Sequence, residues 1–128
     1  MLFRSFVLAF EPLEGARWSH FLKKDGILLT NSSKVLPMPV ISGAASYPHD
    51  LDQRLKDDKR QFISFDATAL ANGAGNARTV NLVLLGALAE KLRFTKSAWH
   101  AAIADCVPEK TLEVNLKAFE LGFGAAAK

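Results

Sequence analysis

One cysteine, Cys106, is all the thiol this chain has, and that scarcity excludes more than any motif in the sequence asserts. A lone thiolate cannot close an internal disulfide, and it cannot by itself hold an iron–sulfur cluster or a structural zinc ion. An intracellular setting follows, and Cys106, lying in an apolar helical pattern, is expected to be buried. Histidine is nearly as scarce: His20, His49 and His100 are far apart and show no HExxH spacing, so no metal site is expected. The longest apolar run, Val80–Ala89, contains Asn81 and falls well short of the ~20 residues that a membrane span requires. Phe6–Phe10 is likewise too short for a signal-peptide core and runs straight into Glu11. The expectation is a cytoplasmic protein with no membrane segment. Charge imbalance is also missing, because 16 Lys plus Arg stand against 13 Asp plus Glu. The basic pairs Lys23-Lys24 and Lys59-Arg60 are isolated and carry no interleaved aromatics, which argues against nucleic acid as a partner.

What the chain does have is apolar material: 49% of its 128 residues are hydrophobic, enough for one globular domain spanning 1–128. Ser5–Phe10 predicts a strand, and Glu11-Pro12 opens a helix that runs to Lys23-Lys24, with Asp25-Gly26 as the turn. Ile27–Thr30 predicts a second buried strand. Two strands joined by one helix make a βαβ unit, and such units are parallel and right-handed. Val35–Val40 cannot be a central strand, because Pro37 and Pro39 remove ladder donors, so an extended excursion is expected there. Asp50 is expected to cap a helix over Leu51–Lys59 with Leu51 and Leu55 inward, and Gln61–Phe65 predicts the next buried strand.

After Asp66 a small-residue loop leads into a long apolar helix. Thr79–Leu92 is apolar nearly all round, with Gly86 at its centre, and a helix of that kind needs cover on more than one face. Gly86 costs roughly 1 kcal/mol relative to alanine, which makes sense if another backbone packs against it, either from the chain's own core or from a partner subunit. Thr95 or Ser97 caps a helix to about Asp105, with Ala98, Ala101, Ala102 and Trp99 as the inward candidates. Glu109–Phe123 follows, with a stripe of Leu112, Leu116, Phe119 and Phe123, and Gly124–Lys128 is expected to fray.

Two kinds of site are conceivable from the residues. Asp66 ends a strand, which is where ligands bind in open α/β sheets, but it also suits the cap of the helix that begins at Ala67. Asn72, Gly73, Gly75 and Asn76, from the loop NGAGN, contain a G-x-G and precede a helix, so a small nucleotide-binding domain is an alternative. The fit is poor, because Arg78 stands where the dinucleotide fingerprint wants a small residue. The second kind is a partner surface, for which Met38, Tyr47, Asn81, Gly86, Leu116 and Phe119 are the candidates. A lid over the sheet edge would also use Met38 and Tyr47. No catalytic constellation can be assembled from the residues.

Several stretches together point further. VLAFEPLEGAR (Val7–Arg17), LPMPVISG (Leu36–Gly43), Tyr47-Pro48, FDATALANGAGNARTVNLVLLGALA (Phe65–Ala89) and VPEKTLEVNLKAFELG (Val107–Gly122) resemble the gamma-type domain of 2-oxoacid:acceptor oxidoreductases. The likeness is greatest to the beta subunit of indolepyruvate ferredoxin oxidoreductases. It implies a three-layer, Rossmann-like α/β fold with a parallel sheet and helices on both faces. It also implies a cofactor-free subunit of a complex that converts aryl-2-oxoacids and coenzyme A to acyl-CoA, passing electrons to ferredoxin. Thiamine diphosphate and the iron–sulfur clusters are then carried by a large partner subunit. Members of that family begin with a strand and a glycine-rich turn that have no counterpart before Ser5, so the expected fold lacks its first βα unit. An isolated chain could self-associate through the faces meant for its partner.

Overall fold

The computed structural model describes residues 4–58 and 60–128 and comprises two compact units, Met1–Ser64 and Phe65–Lys128. In the first, three parallel strands form an open sheet in the order β1-β2-β3, where β1 is Arg4–Ala9, β2 is Leu22–Asn31 and β3 is Gln61–Phe65. The expected α/β class with a parallel sheet is therefore what the chain adopts. β1 and β2 pair from Phe6↔Ile27 to Ala9↔Thr30, which is the parallel βαβ connection anticipated.

Helix α1 (Pro12–Trp18) is shorter than expected. Glu11 caps it by accepting from Glu14 N–H at 3.0 Å, with Pro12 in the first turn, and a 3₁₀ turn at Ser19–Phe21 ends it before the lysines. Lys23, Lys24, Asp25 and Gly26 belong instead to β2, at a break in strand register between Arg4↔Leu22 and Phe6↔Ile27. The turn residues thus make an irregularity within a strand, a common use of glycine there.

Val35–Val40 is also more ordered than an extended excursion. Met38–Ile41 forms a single helical turn, α2, because Pro37 and Pro39 sit at its N-terminus, where a missing N–H costs nothing. Gly43, at φ 78°, turns the chain out of it. Helix α3 (Leu51–Asp57) buries Leu51 and Leu55 as expected. Asp50 does not cap it with its side chain, which instead accepts from Arg54 Nε at 2.7 Å. The expected last residue of that helix, Lys59, lies outside the described residues. The core of this unit joins Leu22, Leu28, Tyr47, Leu51 and Leu55, with Val7, Leu13, Val40 and Phe62 packed against it. Each fully buried leucine contributes about 1.5–3 kcal/mol by leaving water.

The second unit is helical: α4 (Ala67–Ala74), α5 (Val80–Lys91), α6 (Lys96–Cys106) and α7 (Glu109–Ala126). Asp66 Oδ1 caps α4 through Ala69 N–H at 2.8 Å, and Thr95 Oγ1 caps α6 through Ala98 N–H at 3.2 Å. Helices α5 and α7 cross at glycine. A Cβ on Gly86 would sit 2.0 Å from the Phe119 carbonyl oxygen, and one on Gly122 would sit 1.7 Å from that of Val83. The two backbones therefore touch wherever neither residue carries a side chain. Phe119 fills the space beside the crossing and is wholly buried, with Trp99, His100 and Phe123 around its ring.

Three expectations for this unit need correction. The buried stripe of α7 is Asn115, Ala118, Phe119, Gly122 and Ala126, because close backbone approach favours small residues over the leucine stripe. Ala98, Ala101 and Ala102 face outward, and the packing of α6 is carried by Ile103 with Trp99 and His100, both half-buried against Phe119. Gly124 to Ala126 continue α7, and Lys91 Nζ donates to the Ala126 carbonyl at 3.1 Å.

Candidate functional site

A ligand site in an open α/β sheet would lie at the strand ends or the glycine loop. Asp66 is exposed, and its carboxylate is engaged at the N-terminus of α4, as the capping reading required. Gly73 lies inside α4. Gly75, at φ 113°, is the left-handed C-cap of that helix, where its N–H donates to the Asn72 carbonyl at 3.0 Å and the Asn76 N–H to that of Ala71 at 3.2 Å. Asn76 Oδ1 then accepts from Arg78 N–H at 2.9 Å and starts the 3₁₀ turn Ala77–Thr79. A phosphate cradle needs backbone N–H groups aimed at a ligand. Here the N–H groups of Gly75 and Asn76 are used to close one helix and lead into the next, which removes the basis for the nucleotide alternative.

Among the described residues, no group of three or more His, Cys, Asp or Glu side chains is gathered to hold a metal ion, and no helix is long and apolar enough to cross a membrane. Cys106 is exposed, contrary to the burial expected of it: it is the last residue of α6, one turn beyond the buried Ile103 on the same face, where the helix ends. One exposed thiol does not match the several thiolates an iron–sulfur cluster takes.

The partner candidates separate sharply. Gly86 and Phe119 are consumed by the α5–α7 crossing, so neither can meet a partner, and Leu116 is half-buried on the same helix. Asn81 is exposed beside a hollow of about 340 Å³ between α5 and α6, lined mainly by Leu82, Leu85, Trp99 and Ile103. Tyr47 is buried, not presented: its hydroxyl donates to Glu11 Oε1 in a short hydrogen bond. Burial first, and the Glu11 carboxylate second, push its phenol pKa well above the ordinary range. Met38 is 71% exposed, and it does not stand alone.

Around Met38 the first unit presents its uncovered apolar surface. Phe10, Val35, Leu36, Met38 and Ile41 are each between 46% and 71% exposed, although all are large and apolar. Met38 and Ile41 are three residues apart on one helical turn and share a face, while Val40 packs into the core. Beside them a hollow of about 340 Å³ is lined by Phe10, Leu13, Val35, Leu36 and Pro37, with Glu11 and Glu14 at its margin. Scattered apolar residues on a surface are normal, but five in two short stretches at the carboxyl end of β1 make a patch of the kind that marks interaction sites. The residues alone named Met38 here but missed Phe10, Val35 and Leu36. The signal available was a run of large apolar residues around two prolines with no periodicity to bury them.

A second polar cluster ties this unit together. Asp58 accepts from Arg60 Nε at 2.7 Å, and Arg60 also donates to the Ser19 carbonyl. The Arg60 hydrogen bond holds the Asp58 carboxyl down at about 2. This cluster joins the approach to β3 to the end of α1 and is structural.

Comparison with known proteins agrees with the geometry. A family model described as pyruvate ferredoxin/flavodoxin oxidoreductase matches residues 4–125. The chain is 41% identical over 125 residues to an indolepyruvate oxidoreductase subunit IorB of Pyrococcus horikoshii and 43% identical over 126 residues to that of Thermococcus kodakarensis, covering 94% of this chain in each case. It spans 62% of the length of each of those relatives. A crystal structure of a keto/oxoacid ferredoxin oxidoreductase gamma subunit from Geobacter sulfurreducens superposes with a TM-score of 0.70 at 27% identity, covering 96% of this chain and 64% of that one.

Proposed function

The chain belongs to the pyruvate ferredoxin/flavodoxin oxidoreductase family, and from that premise we propose that it serves as a small, cofactor-free subunit of an indolepyruvate-type oxidoreductase complex. The complex would decarboxylate aryl-2-oxoacids oxidatively, transfer the acyl group to coenzyme A and deliver the electrons to ferredoxin. Its setting would be the cytoplasm, where reduced ferredoxin is used. The observation that carries the reading is the uncovered patch of Phe10, Val35, Leu36, Met38 and Ile41 on a chain whose relatives are named as subunits. We assign that patch to docking on a large subunit.

Neither cofactor of such a complex fits this chain. Iron–sulfur clusters need several thiolates, and the chain has Cys106 alone. Thiamine diphosphate needs a divalent cation held by oxygen ligands, and the described residues gather no acidic cluster for one. We assign both groups to the large subunit, and in this reading the chain's role is to complete the assembly.

Reconstitution tests the proposal. The large subunit, loaded with its cofactors, would be assayed for ferredoxin reduction with indolepyruvate and coenzyme A, alone and after addition of this chain. Stimulation that saturates near one equivalent is expected. A chain that neither binds the large subunit nor alters its rate, or that only self-associates, would overturn it.

A further inference from the structure

The exposed segment is held from behind by a clamp. Glu11 is 5% exposed, and each of its carboxylate oxygens is engaged, Oε2 with Glu14 N–H and Oε1 with the Tyr47 hydroxyl. The first bond fixes the start of α1, and the second reaches across 36 residues to the far end of the exposed segment. At the near end, the Lys34 ammonium lies 5.0 Å from the centre of the Tyr47 ring. The stretch between Lys34 and Tyr47 is thus closed at both ends on a single aromatic side chain.

Inside that closed stretch the backbone is stiff. Pro37 and Pro39 restrict its dihedrals. The N–H groups of Val40, Ile41, Ser42, Gly43 and Ala45 all donate to carbonyls within residues 37–40, at 2.9–3.2 Å. Segments that bind while ordered in advance lose little conformational entropy on association, and a faster or tighter encounter is the usual return. Cores do not need such a clamp to hold a loop whose outer residues are largely exposed. Its geometry makes sense if those outer residues must stand in one arrangement before something covers them.

We propose that Tyr47, gripped by Glu11 and covered by Lys34, is a positioning residue that sets the Val35–Ile41 segment in its docking form before the large subunit arrives. The proposal rests on the docking reading above and deepens it. Tyr47 touches no partner itself; it acts through Met38, Ile41 and their neighbours.

The test uses the full chain and the large subunit. In Tyr47→Phe, hydrogen exchange at the Val40–Ala45 amides is expected to speed up about tenfold, and the association rate with the large subunit to fall by a similar factor. Leu55→Val, which trims the same core but leaves the Glu11 and Lys34 contacts of Tyr47 in place, should lower the unfolding temperature and leave both readouts unchanged. That contrast separates positioning from general stability. Unchanged exchange at those amides in Tyr47→Phe would overturn the clamp. Faster exchange with an unchanged association rate would overturn its role in docking. A Met38→Asp/Ile41→Asp variant identifies the remaining failure: if it binds like the wild type, the docking reading falls, and the proposal built on it falls too, whatever the exchange data show.

Discussion

The two apolar surfaces that stand out in this chain have opposite fates. Helix α5 is apolar on every side, and nearly all of that surface is covered within its own unit, by α7 above all, with Gly86 and Gly122 letting the backbones meet. The Phe10 and Val35–Ile41 region is shorter, irregular and interrupted by prolines, yet all its large apolar side chains except Val40 are largely exposed. The comparison teaches that the amount of apolar surface on an element does not tell whether a partner is needed. What tells is whether the chain brings its own cover. A long regular helix can recruit a second helix, whereas a proline-bound turn with side chains pointing outward cannot.

The sharpest way to break that comparison is at the crossing. Gly86→Ala or Gly122→Ala places a methyl group within 2.0 Å of a backbone carbonyl oxygen, where no Cβ can stay. Overpacking of this kind costs about 3 kcal/mol or more, because it is backbone that must move. Thermal unfolding should show a large drop for each, and a melting temperature equal to the wild type would show that the helices do not cross there. Of similar size is Phe119→Ala, which leaves a cavity at the same place and should cost about 3–5 kcal/mol by denaturant titration. Removing the cap in Thr95→Ala should cost about 1 kcal/mol, readable as a shifted urea midpoint with an unchanged slope.

The smallest effect concerns acid. Asp58 is held at about 2 in the folded chain against an ordinary 3.8, so its carboxylate form is favoured by folding. A depressed pKa contributes stability that is fully present above the unfolded value and is lost as pH falls through the folded one. Asp58→Asn should therefore be less stable than the wild type at neutral pH, and the difference should close between about pH 4 and pH 2. Because the pair is partly solvated, with the Asp58 side chain 32% exposed, the difference is expected to be under about 1 kcal/mol. A gap that stays constant down to pH 2 would contradict the pairing.

Much of this architecture was legible in the residues. Strand composition and the Glu11-Pro12 start gave the βαβ unit, and Asp66 and Thr95 were readable as caps because capping is a local property. The glycine at the centre of an apolar helix correctly announced a close backbone neighbour. What the residues could not reveal was which neighbour it was. Gly122 lies 36 residues away from Gly86, and nothing in periodicity ties the two together. For that reason Gly86 and Phe119 were legible as special but not as internal. Tyr47 was misplaced for a related reason: a tyrosine in an irregular stretch looks available to a partner until the long-range bond to Glu11 is seen. Phe10, Val35 and Leu36 escaped notice because periodicity identifies what a regular element buries and is silent about side chains in a turn.

One measurement bears most directly on the claim that the open region, and not the apolar helix, is the docking surface. The affinity of the chain for the large subunit would be determined for the wild type and for Met38→Asp/Ile41→Asp, with Ala102→Asp on α6 as the control at an exposed site in the helical unit. Substitutions at exposed positions leave stability within about 0.5 kcal/mol, so all three should unfold at nearly the same temperature. If the open region docks, binding is weakened at least 100-fold in Met38→Asp/Ile41→Asp, about the loss of two apolar contacts at 1.4 kcal/mol per factor of ten, and is unchanged in Ala102→Asp. Equal binding by all three, or loss confined to Ala102→Asp, would contradict it.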